Sequence, residues 1–176
     1  TTSICIEAMK DISIPKNKIL MSRKYVKEFE STTLPELMNF VPPESIRSHN
    51  KSDGIIQFIN GTEINYMPLD ESREAFTKIA SMNLGACIID QGEEITENMF
   101  NAIKGRLRRQ NSRRCFYGAF NPEGHNWQWR LTKHEPIANM EVWESISTDN
   151  IYLPKDYVDE LLLLPDRIKK RYVYCS

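Results

Sequence analysis

Apolar residues recur along the chain in two ways, as short runs and at helical spacing between those runs. The short runs predict strands, and the helical spacing predicts amphipathic helices. The predicted strands are Lys18–Ser22, Ile55–Ile59, Glu63–Met67, Ala86–Asp90, Arg114–Phe120 and Met140–Ile146. The predicted helices are Thr1–Met9, Tyr25–Phe40, Glu71–Ser81, Glu97–Arg109, Lys155–Leu164 and Pro165–Tyr172, with a short helix or turn at Trp127–Lys133. Strands separated by helices indicate an α/β fold with a mainly parallel sheet.

Two local patterns modify this picture. Asn60-Gly61 stands between two apolar runs and predicts a β-hairpin, inserted in the sheet or at its edge. An Asn-Gly pair supplies the positive φ angles of a type I′ turn, so we expect that turn here. Ser31-Thr32-Thr33 predicts a break inside the helix Tyr25–Phe40, and Pro42-Pro43 ends that helix.

The most informative stretch is Leu84–Ile95, in which a short apolar run ends abruptly at Asp90. A strand buried on both faces of a parallel sheet delivers its next polar residue to the edge where α/β sheets bind ligands. From that position Asp90 would hold Mg²⁺ beside a nucleotide, as a Walker B aspartate does. The alternative is a helix cap, with Asp90 or Thr96 opening the helix that starts near Glu97.

Composition narrows the class of protein. The chain has 176 residues, with 23 basic and 24 acidic side chains, so its overall charge does not argue for a polyanionic partner. We expect one domain with a substantial core. Four scattered cysteines without a Cys-x-x-Cys pair fit free thiols in a reducing cytosol. Because no apolar run is long enough to cross a membrane, we expect a soluble intracellular protein without a membrane partner.

Several motifs occur in one order along the chain. They are Asn60-Gly61-Thr62-Glu63-Ile64, Leu69-Asp70-Glu71, Ile88-Ile89-Asp90-Gln91-Gly92-Glu93-Glu94-Ile95, Gly105-Arg106-Leu107-Arg108-Arg109 and Asn121-Pro122-Glu123-Gly124-His125-Asn126-Trp127. In this combination the sequence resembles the ATPase half of the large terminase subunit of tailed bacteriophages. The resemblance covers essentially the whole chain and implies a RecA-like P-loop NTPase fold.

The resemblance also implies what surrounds the chain. Residues 1–176 would be a single, partial ATPase domain that begins just after the Walker A loop and ends before the nuclease domain. The cofactors would be ATP and Mg²⁺, and Thr1 or Thr2 would supply the hydroxyl that helps to hold the metal. Without the Walker A lysine and its amide cradle, we expect this chain alone to hydrolyse ATP near background.

In the intact protein, the same resemblance implies a motor that packages double-stranded DNA into a procapsid by hydrolysing ATP. Its partners would be DNA, the portal protein, the terminase small subunit and copies of itself in a ring. Its location would be the cytoplasm of the host cell.

The catalytic roles are assigned by the same resemblance. Asp90 is the expected metal holder, and most relatives have Glu as the next residue, where this chain has Gln91. A carboxamide orients a water molecule but takes no proton, so Glu93 or Glu94 is the alternative base. Those two acidic residues could instead only stabilise the first turn of a helix. Asn121 is expected to sense the γ-phosphate, or else simply to start a turn with Pro122.

Arginines are the remaining candidates. Arg106 and Arg108 belong to a basic segment that continues through Arg109, Arg113 and Arg114. That segment would contact DNA phosphates, provide an arginine finger to the neighbouring subunit's ATP, or be only a solvated helix end. Arg23 and Arg73 are further candidates for the finger.

Two other functions fit the acidic cluster. One is an α/β interaction module without catalytic activity, in which Asp90 only caps a helix. The other is a metal-dependent nuclease that uses Asp90, Glu93 and Glu94, which would need further carboxylates from other strands.

Overall fold

The computed structural model describes residues 1–121, 124–166 and 168–169. They fall into two compact units, Thr1–Phe120 and Asn121–Ser176. No described helix combines the length and the apolar composition that crossing a lipid bilayer requires.

The first unit contains a six-stranded sheet with the strand order β2-β3-β4-β1-β5-β6. The strands are β1 (Lys18–Ser22), β2 (Ile46–Asn50), β3 (Ile55–Phe58), β4 (Glu63–Asn65), β5 (Ala86–Ile89) and β6 (Cys115–Gly118). β4, β1, β5 and β6 pair in parallel, and β3 runs antiparallel to both β2 and β4. The predicted α/β class with a mainly parallel sheet is confirmed.

Helices flank this sheet. They are α1 (Thr2–Ile12), α2 (Val26–Glu28), α3 (Leu34–Phe40), α4 (Arg73–Ser81) and α5 (Glu97–Lys104). A π-helical turn, Phe29–Thr33, joins α2 to α3, and 3₁₀ turns occupy Pro43–Ser45 and Gly92–Glu94.

The core has two layers because alternate strand residues point to opposite faces of the sheet. Ile19, Met21 and Ile88 belong to one buried cluster together with residues of α1 and α3. Leu20 and Cys87, one residue along, are equally buried and therefore face the other side. α4 and α5 contact each other and bury Ile79 and Ile103, among others. With both faces covered, β5 is apolar along its whole length and β1 is apolar from Ile19 to Met21, as their sequence predicts.

Several predicted elements in the first unit need correction. β2 escaped prediction because Ile46–Asn50 is mostly polar and lies at the exposed edge of the sheet. The hairpin between β3 and β4 is present, but the type I′ turn is wrong, since only Gly61 of the Asn-Gly pair has positive φ. The helix predicted to reach Arg109 ends at Lys104. Leu107, beyond it, forms an isolated β-bridge with Leu84, just before β5.

The second unit is helical where it is described. It contains α6 (Trp127–Trp129), a π-helical turn at Arg130–His134, a 3₁₀ turn at Ser147–Asp149 and α7 (Lys155–Leu162). The strand predicted at Met140–Ile146 is wrong, because that segment belongs to none of the strands in the described part of the chain and exposes 78% of Trp143. Of the helix predicted at Pro165–Tyr172, Arg167 and residues 170–172 lie outside the described residues.

Candidate functional site

Asp90 directly follows β5, between the carboxyl ends of β1 and β6. Its backbone N–H donates to the carbonyl of Ser22 at the end of β1, at 3.1 Å. Its side chain is almost fully buried, with 2% of the residue exposed. The apolar strand therefore delivers one carboxylate to the ligand-binding edge of the parallel sheet, as expected.

Two threonine hydroxyls hold the Asp90 carboxylate. The Thr1 hydroxyl donates to Oδ2 at 3.1 Å, and the Thr33 hydroxyl donates to the same oxygen at 2.6 Å. Thr2 points elsewhere and donates to Oε1 of Glu36 at 2.8 Å. Of the two candidate hydroxyls at the start of the chain, the structure thus brings only that of Thr1 to Asp90.

Thr33 was missed by the sequence analysis, although the predicted helix break at Ser31-Thr32-Thr33 marked its position. The helix does not break there but widens into the π-helical turn Phe29–Thr33. A π turn adds a residue to one turn and so changes which side chains share the inner face. Phe29 and Thr33 are both completely buried, at the two ends of this turn.

The helix-cap interpretation of Asp90 is wrong. α5 is capped by Thr96, whose hydroxyl accepts from the N–H of Met99 at 3.3 Å. Asp90 accepts instead from the hydroxyls of Thr1 and Thr33, which come from distant parts of the chain. Its position is therefore set by tertiary structure and not by the needs of the following helix.

The backbone turns sharply after Asp90. Gln91 has φ 52° and ψ 54°, a left-handed conformation that is uncommon for a residue with a side chain and often found at functional sites. Gly92 then donates its N–H to the carbonyl of Ala119 at 2.8 Å. A Cβ at Gly92 would lie only 2.1 Å from the ring of Phe120, so this close approach requires glycine.

Glu94 pairs with Arg23. The Arg23 guanidinium lies 3.1 Å from Oε1 of Glu94 and 3.1 Å from Oε2 of Glu28, and 13% of its side chain is exposed. Nε of Arg23 and Oε2 of Glu94 are buried without a hydrogen-bond partner among the described residues. Arg23 is thus held within its own subunit, at the same edge of the sheet as Asp90.

The remaining candidates lie in other places. Arg73 begins α4 and is exposed, whereas Arg106 and Arg108 follow the end of α5. Asn121 is the first residue of the second unit, and Pro122 lies outside the described residues. The sensor role of Asn121 therefore stays a prediction.

The nuclease alternative finds no support. Within the described ranges, no group of three or more His, Cys, Asp or Glu side chains is placed to hold a metal ion. Asp90, Glu93 and Glu94 therefore do not form the carboxylate cluster that two-metal chemistry needs.

A family model described as phage terminase large subunit matches residues 2–174. The chain belongs to this family. A comparison with curated proteins gives no match. The expected likeness to terminases, based on the motifs around Asp90 and Asn121, is confirmed.

Solved terminase structures share the fold. The large terminase of a thermophilic bacteriophage, in complex with ADP, aligns with a TM-score of 0.75 at 15% identity, covering 98% of this chain and 44% of its own. The large terminase ATPase domain of Thermus phage P74-26 gives 0.71 at 13% identity, covering 98% and 81%. The N-terminal domain of the bacteriophage phi29 DNA packaging ATPase gives 0.52 at 14%, covering 81% and 79%.

The covered shares show which part of these terminases the chain matches. It spans less than half the length of the first of these terminases and most of the isolated Thermus phage ATPase domain. The predicted RecA-like terminase ATPase fold, with helices on both faces of a mostly parallel sheet, is confirmed.

Proposed function

We propose that this chain is part of the ATPase motor of a terminase large subunit that packages double-stranded DNA into a procapsid. The observation that carries the proposal is the buried Asp90 carboxylate, held at the end of β5 by the hydroxyls of Thr1 and Thr33. Membership of the terminase family and the ADP complex of a similar terminase support nucleotide binding, and the position of Asp90 leads us to assign it to this edge.

The residues at Asp90 fit Mg²⁺. A carboxylate and the Thr1 hydroxyl, 3.1 Å apart, are the oxygen ligands that this hard cation prefers. Thr33 donates to Oδ2 and fixes the carboxylate, which with the Thr1 hydroxyl would hold the metal or its water. Bound there with ATP, Mg²⁺ would neutralise charge on the phosphates as the terminal phosphoryl group is transferred.

We extend the proposal to the other side chains that the resemblance names. Glu94 is engaged by Arg23, so we assign it to holding that arginine and not to proton transfer. Gln91, adjacent to Asp90 and set in a left-handed conformation, orients the attacking water, and Glu93 is the carboxylate that accepts its proton. For Asn121 we propose the role that the resemblance implies, which is sensing the γ-phosphate.

The wider context of the motor is proposed on the same basis. The ring would be built from copies of the intact subunit, and its partners would be DNA, the portal protein and the terminase small subunit, in the host cytoplasm. Arg23 pairs with glutamates of its own chain. Arg73 or Arg106 is therefore the better candidate for an arginine finger that reaches the ATP of a neighbouring subunit.

Asp90→Asn in the full-length protein tests the proposal. The affinity for a fluorescent ATP analogue is measured by titration in the presence of Mg²⁺. We expect this affinity to fall at least about tenfold, because the carboxamide removes the metal's anionic ligand. Asp53→Asn is the matched control, since Asp53 is exposed in the turn between β2 and β3. Equal nucleotide affinity of the two variants, in the presence of Mg²⁺, would refute the nucleotide site.

A further inference from the structure

A polar cavity lies at the opposite edge of the sheet from Asp90. It has a volume of about 540 Å³ and is lined by Lys16, Asn83 and the segment 108–111, with Pro15 beside them. Lys16 precedes β1 and Asn83 precedes β5, so the cavity, here called the amino-edge groove, is at the amino ends of the central strands. β1 alone separates this edge from the Asp90 edge by about 16 Å.

The charge of the groove is positive. Lys16, Arg108 and Arg109 are cationic, the other lining residues are carboxamides and a proline, and no carboxylate lines it. Neither Lys16 nor Arg108 forms an ion pair with any residue in the described part of the chain. Nearby cations differ: Lys18 pairs with Glu63, and Arg113 pairs with Asp11.

Hydrogen bonds made by Arg109 fix the backbone of the groove. Arg109 donates to the carbonyl of Lys16 from Nε at 2.9 Å and from Nη2 at 2.5 Å. Its backbone N–H donates to Leu84, at the start of the β5 region, at 3.0 Å. These bonds fasten the segment after α5 to the loop before β1, so that Arg108 is presented from a fixed backbone.

Two residues of the groove have a left-handed backbone. Lys16 has φ 58°, which lysine rarely adopts, and Asn111 has φ 56°, which asparagine adopts more readily than most residues. Strain of this kind is found preferentially where a chain must present groups to a ligand. Together with the unpaired cations, it distinguishes the groove from an ordinary solvated helix end.

We propose that the amino-edge groove binds the phosphate backbone of double-stranded DNA. This proposal rests on the proposed function, since it names where the substrate of the motor contacts the subunit. The groove has two cations without an ion-pair partner among the described residues, and three carboxamides. These groups supply positive charge and hydrogen-bond donors to phosphate oxygens, and such contacts do not depend on the base sequence. Arg108 and Lys16 provide the charge, and Arg109 holds the groove open.

The test measures DNA binding by the full-length protein without nucleotide. Fluorescence anisotropy of a labelled duplex is followed between 50 and 200 mM salt. We expect Arg108→Glu to bind about tenfold more weakly than wild type, for every duplex sequence tested. The plot of log affinity against log salt concentration has a negative slope. For Arg108→Ala this slope should become less negative by about 1, because one phosphate contact is lost.

Lys51→Glu is the matched control, because Lys51 is an exposed lysine in the turn between β2 and β3 and makes the same change of charge. Its DNA affinity should stay within about twofold of wild type. Lys16→Gln is a second variant, which keeps the test decisive if Arg108→Glu does not fold. An equal loss for Lys51→Glu and Arg108→Glu, at the same salt, would overturn the proposal.

Competition with inorganic phosphate separates two sources of the same chemistry. For a DNA site, phosphate should displace the duplex only in proportion to its ionic strength, as sodium chloride does. Displacement at low millimolar phosphate would instead assign the groove to a free phosphate and overturn the DNA assignment. Because nucleotide is absent, the outcome is independent of whether Asp90 binds Mg²⁺ and ATP.

Discussion

A buried carboxylate is stable only when donors replace the water it has lost. Asp90 has 2% of its surface exposed and obtains those donors from Thr1 and Thr33, on two different helical segments. The shorter of the two bonds, 2.6 Å, comes from Thr33. This threonine is therefore as much a part of the site as the aspartate.

Thr33→Val keeps the shape of the side chain but removes the hydroxyl donor. We expect the free energy of unfolding to fall by about 2 kcal/mol, the usual loss for a hydrogen bond to a charged group. Chemical denaturation of the full-length protein, monitored by a spectroscopic signal that reports on the sheet, measures the change. We also expect weaker Mg²⁺-dependent nucleotide binding, because Asp90 is no longer fixed.

Two variants serve as controls for Thr33→Val. Thr33→Ser retains the hydroxyl and should recover most of the stability and the binding. Thr77→Val removes an exposed hydroxyl in α4, whose one hydrogen bond to the described residues is to the carbonyl of Arg73. It should change the free energy of unfolding by less than about 0.5 kcal/mol. Stability of Thr33→Val equal to that of Thr77→Val would mean that Asp90 does not depend on Thr33.

At the level of elements, α1 is fastened to the start of β6 by an ion pair between buried Asp11 and partly exposed Arg113. Asp11, near the end of α1, is 0% exposed, and both oxygens accept from Arg113, from Nε at 3.2 Å and from Nη2 at 2.8 Å. Hydrogen bonding to Asp11 raises the pKa of Arg113 above its ordinary value. Because α1 directly follows Thr1, a partner of Asp90, this ion pair helps to anchor the helix next to the site.

The two halves of this ion pair are not equivalent. Arg113→Met leaves Asp11 buried without its cation, so we expect a loss of about 3 kcal/mol in the free energy of unfolding. Asp11→Asn should lose less, about 1 kcal/mol, because the Arg113 side chain is 33% exposed and also lies 3.6 Å from Glu7. A double-mutant cycle measured by denaturation gives the coupling. Additive losses would contradict a direct interaction.

The central elements could be predicted because their physics is local. β1 was predicted at Lys18–Ser22, its observed bounds, and the strand predicted at Ala86–Asp90 ends one residue earlier. Both strands are buried on two faces, so their apolar runs carry the signal directly. Asp90 followed from the same runs, because the residue after a buried parallel strand must reach the ligand-binding edge.

Other features depend on partners that a sequence pattern does not reveal. β2 is a strand only because β3 offers it an edge, whereas Met140–Ile146 has a strand-like pattern and no such edge. Thr33 reaches Asp90 across a separation of 57 residues, by way of a π-helical turn. The pairing of Arg23 with Glu94 spans 71 residues. Tertiary structure alone brings these groups together.

At the scale of the whole molecule, burial is concentrated in the first unit. Its core contains fully buried residues on β1 and β5, among them Leu20, Met21, Cys87 and Ile88. In the described part of the second unit, Gln128 is the only buried residue, and Ile151 and Leu163 are more than four-fifths exposed. Because buried apolar area supplies most of the stability, the two units should open at different free energies.

Amide hydrogen exchange of the intact chain tests this difference. We expect the amides of β1 and β5 to exchange only through global unfolding, and those of α7 to exchange on the order of 100-fold faster through local opening. If the exchange rates of both sets of amides rise about tenfold per pH unit, these rates report the equilibrium constants for opening and not the rates of opening. Equal protection of α7 and β5 would mean that the second unit opens only together with the sheet. In that case the predicted single domain over 1–176 would also be a single cooperative unit of folding.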